Sequence, residues 1–190
     1  MLKPQDIVIL LKILSKMVVL PPSDSKGTMS QNKLAVLLCM SVSEVNAGIK
    51  RLLLSHLLAP VFKEDQKEKM IFLPVKNACE ECLISGVKYF FPAQLGEYTP
   101  GIATSYAAPI LEKHIIPNRD PTPVWPSIHG DRRGLAIEPL YRSVPQSLVE
   151  HPDPLFYDLL ALIDAIRCGR TRERNIATQL LREKLHNEQQ

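Results

Sequence analysis

Apolar residues in the first third of the chain recur every three to four positions, the spacing of an amphipathic helix. One such stretch covers residues 4–19, and a second, "LAVLLCMSVSEVNAGIKRLLLSHLL", covers residues 34–58. The second stretch loses its period once, at "CMS", where Ser41 and Glu44 form an S-x-x-E pattern. In that pattern each side chain satisfies an unpaired amide at the start of a helix. The sequence therefore predicts two helices joined by a tight turn, the first capped by Ser30 and the second by Ser41.

The stretch after these helices has the pattern of a β-hairpin. In "VFKEDQKEKMIFL", two short runs of strand-forming residues, 61–62 and 70–73, enclose a charged tip. Lys63, Lys67 and Lys69 lie at or beside this tip, interleaved with three acidic residues. The predicted tip is therefore only mildly basic.

The order helix, helix, turn, helix, β-hairpin resembles the winged helix-turn-helix of MarR-like bacterial DNA-binding regulators over about residues 4–73. The resemblance rests on the apolar positions of the two helices, the turn between them and the residues before the hairpin: Leu34, Ala35, Leu38, Met40, Ser41, Val45, Ile49, Leu52, Leu57 and Leu58. One departure is His56, where such proteins often have a glycine that ends the helix in the left-handed conformation. Histidine tolerates that conformation better than most residues, so the helix end is expected to persist.

The resemblance implies that the helix over residues 41–54 lies in the major groove of double-stranded DNA, with its N-terminal half facing the bases. Its outward positions carry side-chain types that can bond adenine, guanine or phosphate, or touch a thymine methyl group. Contacts to phosphate, from the edge of that helix and from the wing, would set register and add salt-dependent affinity. The predicted DNA-contacting residues are Ser41, Ser43, Asn46, Ala47, Lys50 and Arg51 in the helix and Lys63, Lys67 and Lys69 in the wing.

The pattern after residue 74 predicts a mixed α/β domain that the resemblance does not cover. A helix is predicted from Pro74 to about residue 91, and a β-hairpin that pairs residues 124–125 with 135–137 across "HGDRRG". "AQLGEYTPGIATSYAAP", between them, has no clear period. Asp153 and Pro154 open a strong amphipathic helix that Gly169 ends, and a last helix follows from about Thr171. The predicted fold class is therefore α+β, mostly helical. It comprises a winged helix-turn-helix domain over residues 1–73 and a C-terminal domain over residues 74–190 that ends in an antiparallel helix pair.

Charge is distributed unevenly along the 190 residues. The net charge is +3, but residues 1–73 carry +4, residues 74–164 carry −4 and residues 165–190 carry +3. Basic ends suit a polyanion such as DNA. Arg170, Arg172 and Arg174 in "RCGRTRER" could make secondary phosphate or partner contacts, although solvation or pairing with Glu173 explains them equally well.

Catalytic and metal-binding motifs are not found in the sequence. There is no nucleotide-binding glycine loop, no G-x-S-x-G and no H-E-x-x-H, and the histidines are scattered over predicted loops. "CEEC" at residues 79–82 has the spacing of half a zinc site, but no second pair of ligands matches it, so a helix face is the simpler explanation. Cys39 and Cys168 are expected to act as small apolar residues. We therefore expect no catalytic residue, no metal and no cofactor.

The functional prediction is a sequence-specific DNA-binding transcriptional regulator, acting as a dimeric repressor in the cytoplasm. A signal peptide or membrane span is not expected, because Asp6 precedes the first apolar stretch and Lys12 interrupts it. The C-terminal domain would serve dimerisation, or would bind a protein partner or a small-molecule effector. The alternative is a non-enzymatic adaptor or antitoxin-like accessory protein that uses this domain to bind a partner protein.

Overall fold

The structure, a computed structural model, describes residues 1–19, 30–62, 70–115 and 121–186. It is α+β and mostly helical, as the sequence predicts. The described residues contain a two-stranded sheet and a three-stranded sheet. No helix among them combines the length and the apolar character that crossing a membrane requires.

Three helices and a hairpin form the N-terminal third of the chain. Helix α1 spans Pro4–Val19, α2 spans Gln31–Leu38 and α3 spans Val42–Leu54. Strands β1 (Leu58–Phe62) and β2 (Met70–Pro74) pair antiparallel. The order and approximate bounds agree with the predicted pattern. The predicted tip of the hairpin, with Lys63, Lys67 and Lys69, lies outside the described residues.

Side-chain caps explain why the apolar run of residues 34–58 forms two helices. The Ser41 hydroxyl accepts a hydrogen bond from the Glu44 amide at 3.2 Å, and the Glu44 carboxylate accepts one from the Ser41 amide at 2.9 Å. The Ser30 hydroxyl accepts from the Lys33 amide and opens α2 in the same way. At the other end of α3, His56 has φ 56°, so the predicted left-handed end without glycine is confirmed.

The helix predicted from Pro74 to residue 91 is present but interrupted. Pro74 ends β2 instead of starting the helix, and α4 begins two residues later, spanning Lys76–Glu81. A π-helical turn, Cys82–Gly86, leads into α5, Val87–Phe90. A π-helical turn adds one residue to the local hydrogen-bonded loop, which a 3.6-residue pattern does not reveal.

The second sheet differs from the prediction. Its strands are β3 (Leu95–Ala103), β4 (Pro123–Pro126) and β5 (Arg132–Ile137), and each pairs with the other two. The predicted hairpin of β4 and β5 is wrong, because these strands pair in parallel. Both pair antiparallel with β3, the strand formed by the stretch without a period. The N-terminal half of β3 is exposed. It therefore lacks the alternation of buried and exposed residues by which a half-buried strand is recognised.

The remaining elements complete the C-terminal part of the chain. A 3₁₀ turn covers Ser105–Ala107, and two short helices follow, α6 (Pro109–Glu112) and α7 (Val144–Glu150). The long helices are α8 (Pro154–Cys168), capped by the Asp153 carboxylate as predicted, and α9 (Thr171–His186). An ion pair of 2.9 Å joins Lys184, near the end of α9, to Asp158, near the start of α8. The last two helices therefore form the predicted antiparallel pair.

One hydrophobic cluster contains residues from both sides of the predicted domain boundary at residue 73. Helix α1 packs against α3 on one side and α8 on the other. Between α1 and α8, the buried Asp153 carboxylate accepts hydrogen bonds from the ammonium groups of Lys12 at 2.9 Å and Lys16 at 2.8 Å. The carboxylate thus joins α1 to the start of α8. The boundary itself stays a prediction.

A buried polar cluster fixes the second sheet onto α8. The Asp164 carboxylate, on α8, accepts hydrogen bonds from the Trp125 indole at 2.6 Å and from the Thr104 hydroxyl at 3.0 Å. Arg167 pairs with the other carboxylate oxygen at 2.7 Å. A buried carboxylate is stable only when its oxygens are bonded, so this cluster specifies how the sheet sits on the helix.

Candidate nucleic-acid interface

Helix α3 lies against α1 with one face and leaves the opposite face open. Gly48 lies so near α1 that a Cβ there would overlap with the Ile9 side chain. Val45, Ile49 and Leu52 are buried on the same side. The helix is therefore packed closely against α1 through this face.

The open face of α3 contains three of the predicted DNA-contacting residues. Ser43 and Lys50 are exposed and Ala47 is half-buried, and together they form a line along the helix. Leu54 extends this line by one turn and is 80% exposed. The helical spacing predicts Leu52 as an inward residue and does not single out Leu54. We name this set, Ser43, Ala47, Lys50 and Leu54, the α3 stripe.

Asn46 lies at the edge of the stripe and is already hydrogen-bonded. Its side-chain amide donates to the Gln31 carbonyl oxygen of α2 at 2.8 Å. The amide nitrogen is thus oriented toward α2, while its carbonyl oxygen has no hydrogen bond among those described. For the bidentate contact to adenine expected from the sequence, this side chain would have to exchange Gln31 for a base.

Arg51 makes a structural contact that the local sequence pattern does not indicate. Its guanidinium forms two hydrogen bonds of 2.7 Å to the carboxylate of Asp6, which is 0% exposed. These bonds join α3 to the first turn of α1 and raise the pKa of Arg51 above its ordinary value. Arg51 therefore stabilises the position of α3, and its predicted phosphate contact stays a prediction.

The N-terminal turn of α3 has a partner nearly one hundred residues further along the chain. The Tyr141 hydroxyl donates a hydrogen bond to the Glu44 carboxylate. This bond, together with those from Ser41, lowers the pKa of Glu44 to about 2, and the same contact raises the pKa of Tyr141. Arg142, which is exposed, adds positive charge near Glu44. Arg142 is a candidate phosphate contact that no local sequence pattern identifies.

The turn before α3 is also fixed from outside. The Ser143 hydroxyl donates to the Leu38 carbonyl at the end of α2, at 2.6 Å. The Cys39 thiol donates to the Glu150 carboxylate at 3.4 Å. Burial and the neighbouring Glu150 raise the pKa of Cys39 to about 11, so the thiol keeps its proton at neutral pH. Cys39 is half-buried at the turn and bonded to a carboxylate, which differs from the small apolar residue expected.

An open groove adjoins the C-terminal end of the α3 stripe. It has a volume of 710 Å³ and is mostly apolar, and it lies between the last turns of α3 and the hairpin. Its walls consist of Lys50, Leu53, Leu54, His56, Leu58, Ala59, Pro60, Phe72 and Val75. The wing residues that would extend this surface, Lys63, Lys67 and Lys69, lie outside the described ranges, so their predicted contacts stay predictions.

The three arginines around the start of α9 differ in their surroundings. Arg172 is exposed, and the guanidinium of Arg174 donates to the Gly169 carbonyl at 3.1 Å. Glu173 accepts a hydrogen bond from the backbone amide of Arg170. Glu173 therefore caps the helix start, and the predicted phosphate contacts of this segment stay predictions.

Comparison with known proteins adds no family to these observations. No protein-family model, no curated protein and no solved structure matches this chain.

Proposed function

We propose that this protein is a sequence-specific DNA-binding transcriptional regulator that reads double-stranded DNA with α3. The observation that carries the proposal is the α3 stripe, in which hydroxyl, small, basic and apolar side chains line the open face of a helix with a complete capping box. The helix is short, anchored by its opposite face and followed by a hairpin. These features support the proposal of a winged helix-turn-helix. In this arrangement Ser43 and Lys50 face base edges, and Arg142 and the wing lysines face phosphates.

The proposal includes a dimer and no catalytic step. A dimer of such modules reads two half-sites about one helical turn apart, so the preferred DNA would be palindromic. A dimer bound to such a site over a promoter would exclude the transcription machinery and so repress transcription. A protein partner or small-molecule effector at the C-terminal part would adjust this occupancy.

Selection of binding sites from random duplex DNA by the full-length protein, near physiological salt, tests the proposal directly. We expect an enriched motif with two related half-sites. Lys50→Ala should relax the preference at one base pair and cost about 1–3 kcal/mol on the best site. Asn46→Ala should likewise relax the preference at one base pair, because a base would replace Gln31 as the partner of Asn46. Lys69→Ala should weaken binding to all sequences alike and flatten the salt dependence.

A matched control is Lys113→Ala, which removes an exposed lysine from the end of α6. This variant should bind the selected site as the wild type does. If Lys50→Ala and Lys113→Ala both bound the best site as the wild type does, α3 would not be the reading helix. If binding enriched no motif and weakened as salt was raised, the protein would have only a basic surface that attracts DNA without sequence preference.

A second candidate function is a non-enzymatic adaptor whose C-terminal part binds a partner protein. The observation that favours it is a set of exposed apolar residues at the end of α5 and the start of β3, where Tyr89, Phe90 and Leu95 are each at least 64% exposed. Exposed aromatic residues near one another are typical of protein interfaces. This function would be favoured if the wild type bound no DNA at low salt and retained a partner protein that the variant Tyr89→Ser with Phe90→Ser failed to retain.

A further inference from the structure

Three potential metal ligands from distant parts of the chain converge beside the turn between α2 and α3. They are the Cys39 thiol at the end of α2, the Glu150 carboxylate in the last turn of α7 and the His151 imidazole that follows it. One ligand atom from each residue lies within 4.8 Å of the other two. Because Glu150 lies 111 positions after Cys39, no spacing pattern in the sequence points to this group.

The donor types and their separation fit a zinc-class cation. Sulfur, imidazole nitrogen and carboxylate oxygen are the donors that tetrahedral zinc sites use. The Cys39 sulfur and the nearer Glu150 oxygen are 3.4 Å apart. Zinc–sulfur and zinc–oxygen bonds of about 2.3 and 2.0 Å at a tetrahedral angle would place these atoms about 3.5 Å apart. The pair already has the edge length of a zinc tetrahedron.

One backbone conformation and one hydrogen bond hold the ligands in place. Cys39 has φ 52°, a left-handed conformation that is costly for a residue with a Cβ and that fixes the thiol at the turn. The Gln146 side chain donates to one oxygen of Glu150 at 2.8 Å, while the other oxygen accepts from the Cys39 thiol. A neighbour that orients a ligand in this way is typical of built metal sites.

We propose that Cys39, Glu150 and His151 bind a divalent cation of the zinc class, with a fourth position open to water. Glu150 is exposed and the other two residues are half-buried, so a cation can reach the site from solvent. On binding, the cation replaces the proton of the Cys39 thiol, which leaves to solvent, and forms bonds to sulfur, oxygen and nitrogen. It thereby ties the turn before α3 to the end of α7. This inference goes beyond the proposed function and holds whether or not the chain binds DNA.

The test titrates the chelator-treated full-length protein with Co²⁺ and then displaces Co²⁺ with Zn²⁺. We expect one equivalent of Co²⁺ to bind with the near-ultraviolet absorption of a cobalt–thiolate bond, and Zn²⁺ to remove that absorption. Cys39→Ser should abolish the thiolate band. His151→Gln should weaken binding by more than the roughly 10–100-fold loss typical of an outer-shell change, because it removes a ligand.

The matched controls are Cys82→Ser and His129→Gln, which remove a thiol and an imidazole elsewhere. Both should bind Co²⁺ with the wild-type band and affinity. Circular dichroism of each variant shows that it is folded, and Zn²⁺ should raise the melting temperature of the wild type but not of Cys39→Ser. No stoichiometric Co²⁺ binding by the wild type, or a thiolate band lost in Cys82→Ser and kept in Cys39→Ser, would overturn the proposal.

Discussion

At the scale of single residues, the ends of two helices adopt a backbone conformation that glycine usually occupies. Cys39 and His56 have φ of 52° and 56° and end α2 and α3. In each case the amide of the next residue bonds to a carbonyl five positions earlier, Met40 to Ala35 and Leu57 to Leu52. These hydrogen bonds complete the helix end, while the Cβ costs about 1–2 kcal/mol in the left-handed region.

Replacing His56 by glycine should therefore stabilise the protein. His56 is exposed and its ring has no hydrogen bond among those described, so His56→Gly loses little and removes the Cβ strain. We expect the free energy of unfolding in urea to rise by about 1 kcal/mol. His56→Ala keeps the Cβ and should give no comparable gain. An equal gain in both variants would show that the histidine ring, and not the backbone conformation, is the source.

Arg51 provides a second prediction at this scale. Arg51→Met leaves the fully buried Asp6 carboxylate without its two guanidinium bonds, and breaking a buried pair on one side costs about 3–5 kcal/mol. We expect a loss of that order in urea unfolding. The double variant Asp6→Leu, Arg51→Met should recover most of it, since no unpaired carboxylate remains. A loss under about 1 kcal/mol in the single variant would mean that solvent reaches Asp6.

At the scale of elements, the start of α3 depends on both a local cap and a distant contact. Ser41 supplies the local cap, which the sequence reveals, and Tyr141 supplies the distant hydrogen bond to Glu44. The two contacts share one carboxylate. The protonation of Glu44 therefore controls how firmly the first turn of α3 is held.

Acid should destabilise the protein partly through Glu44. Its pKa is lowered to about 2 in the folded chain, chiefly by the Tyr141 hydroxyl, against an ordinary value of 4.5. Between these pH values the unfolded chain binds a proton that the folded chain does not, so stability falls as pH falls from 4.5 towards 2. Glu44→Gln keeps a capping side chain but cannot titrate. We expect its free energy of unfolding to change less between pH 5 and 3 than that of the wild type.

Tyr141→Phe should reduce the same pH dependence, because it removes the largest cause of the lowered pKa. The pH dependence of each variant must be compared with that of the wild type, because Glu44 is not the only carboxylate that titrates in this range. Asp153 also has its pKa lowered to about 2: burial opposes the shift, but hydrogen bonds from Lys16 and Lys12 outweigh it. If the free energy of unfolding of Glu44→Gln fell with pH as steeply as that of the wild type, other carboxylates would be the cause of the acid sensitivity.

At the scale of the whole molecule, α1 connects the N-terminal helices to the C-terminal ones. Ile7, Leu10 and Leu11 are completely buried in the cluster that also contains residues of α3 and α8. A helix buried on nearly all sides cannot lose one neighbour without exposing apolar surface to water. The two predicted domains should therefore unfold together.

A destabilising substitution in α3 should accordingly destabilise the second sheet as well. Leu52→Ala removes a fully buried side chain and should cost about 2–5 kcal/mol. Trp125, the single tryptophan, lies in β4 and reports on that sheet. We expect its fluorescence transition in urea and the helical circular dichroism transition to shift by the same amount. A tryptophan transition that stayed in place would show two independently stable domains.

Much of the N-terminal fold follows from neighbouring residues. Helix periodicity, the Ser41 and Glu44 capping box and the left-handed end at His56 are local features, and all are present in the structure. The stripe residues Ser43, Ala47 and Lys50 follow from the same periodicity. Asp153 and Gly169 bound α8 as the sequence indicates.

The missed features depend on residues far apart in the chain. Strand β3 lacks alternation because half of it is exposed, and the parallel pairing of β4 with β5 depends on β3 lying against both. The contacts of Arg51 with Asp6 and of Glu44 with Tyr141 were missed for the same reason.

The sequence by itself determined helices α1, α2, α3, α8 and α9, the caps at Ser30, Ser41 and Asp153, and most of the outward face of α3. These features depend on hydrogen bonds and side-chain spacing within a few residues. Only the tertiary structure decided which of those side chains remain open and which are already bonded. It also decided that Cys39 meets Glu150 and His151. Such contacts depend on how the hydrophobic core brings distant segments together, and the burial of apolar surface that drives this packing has no direction of its own.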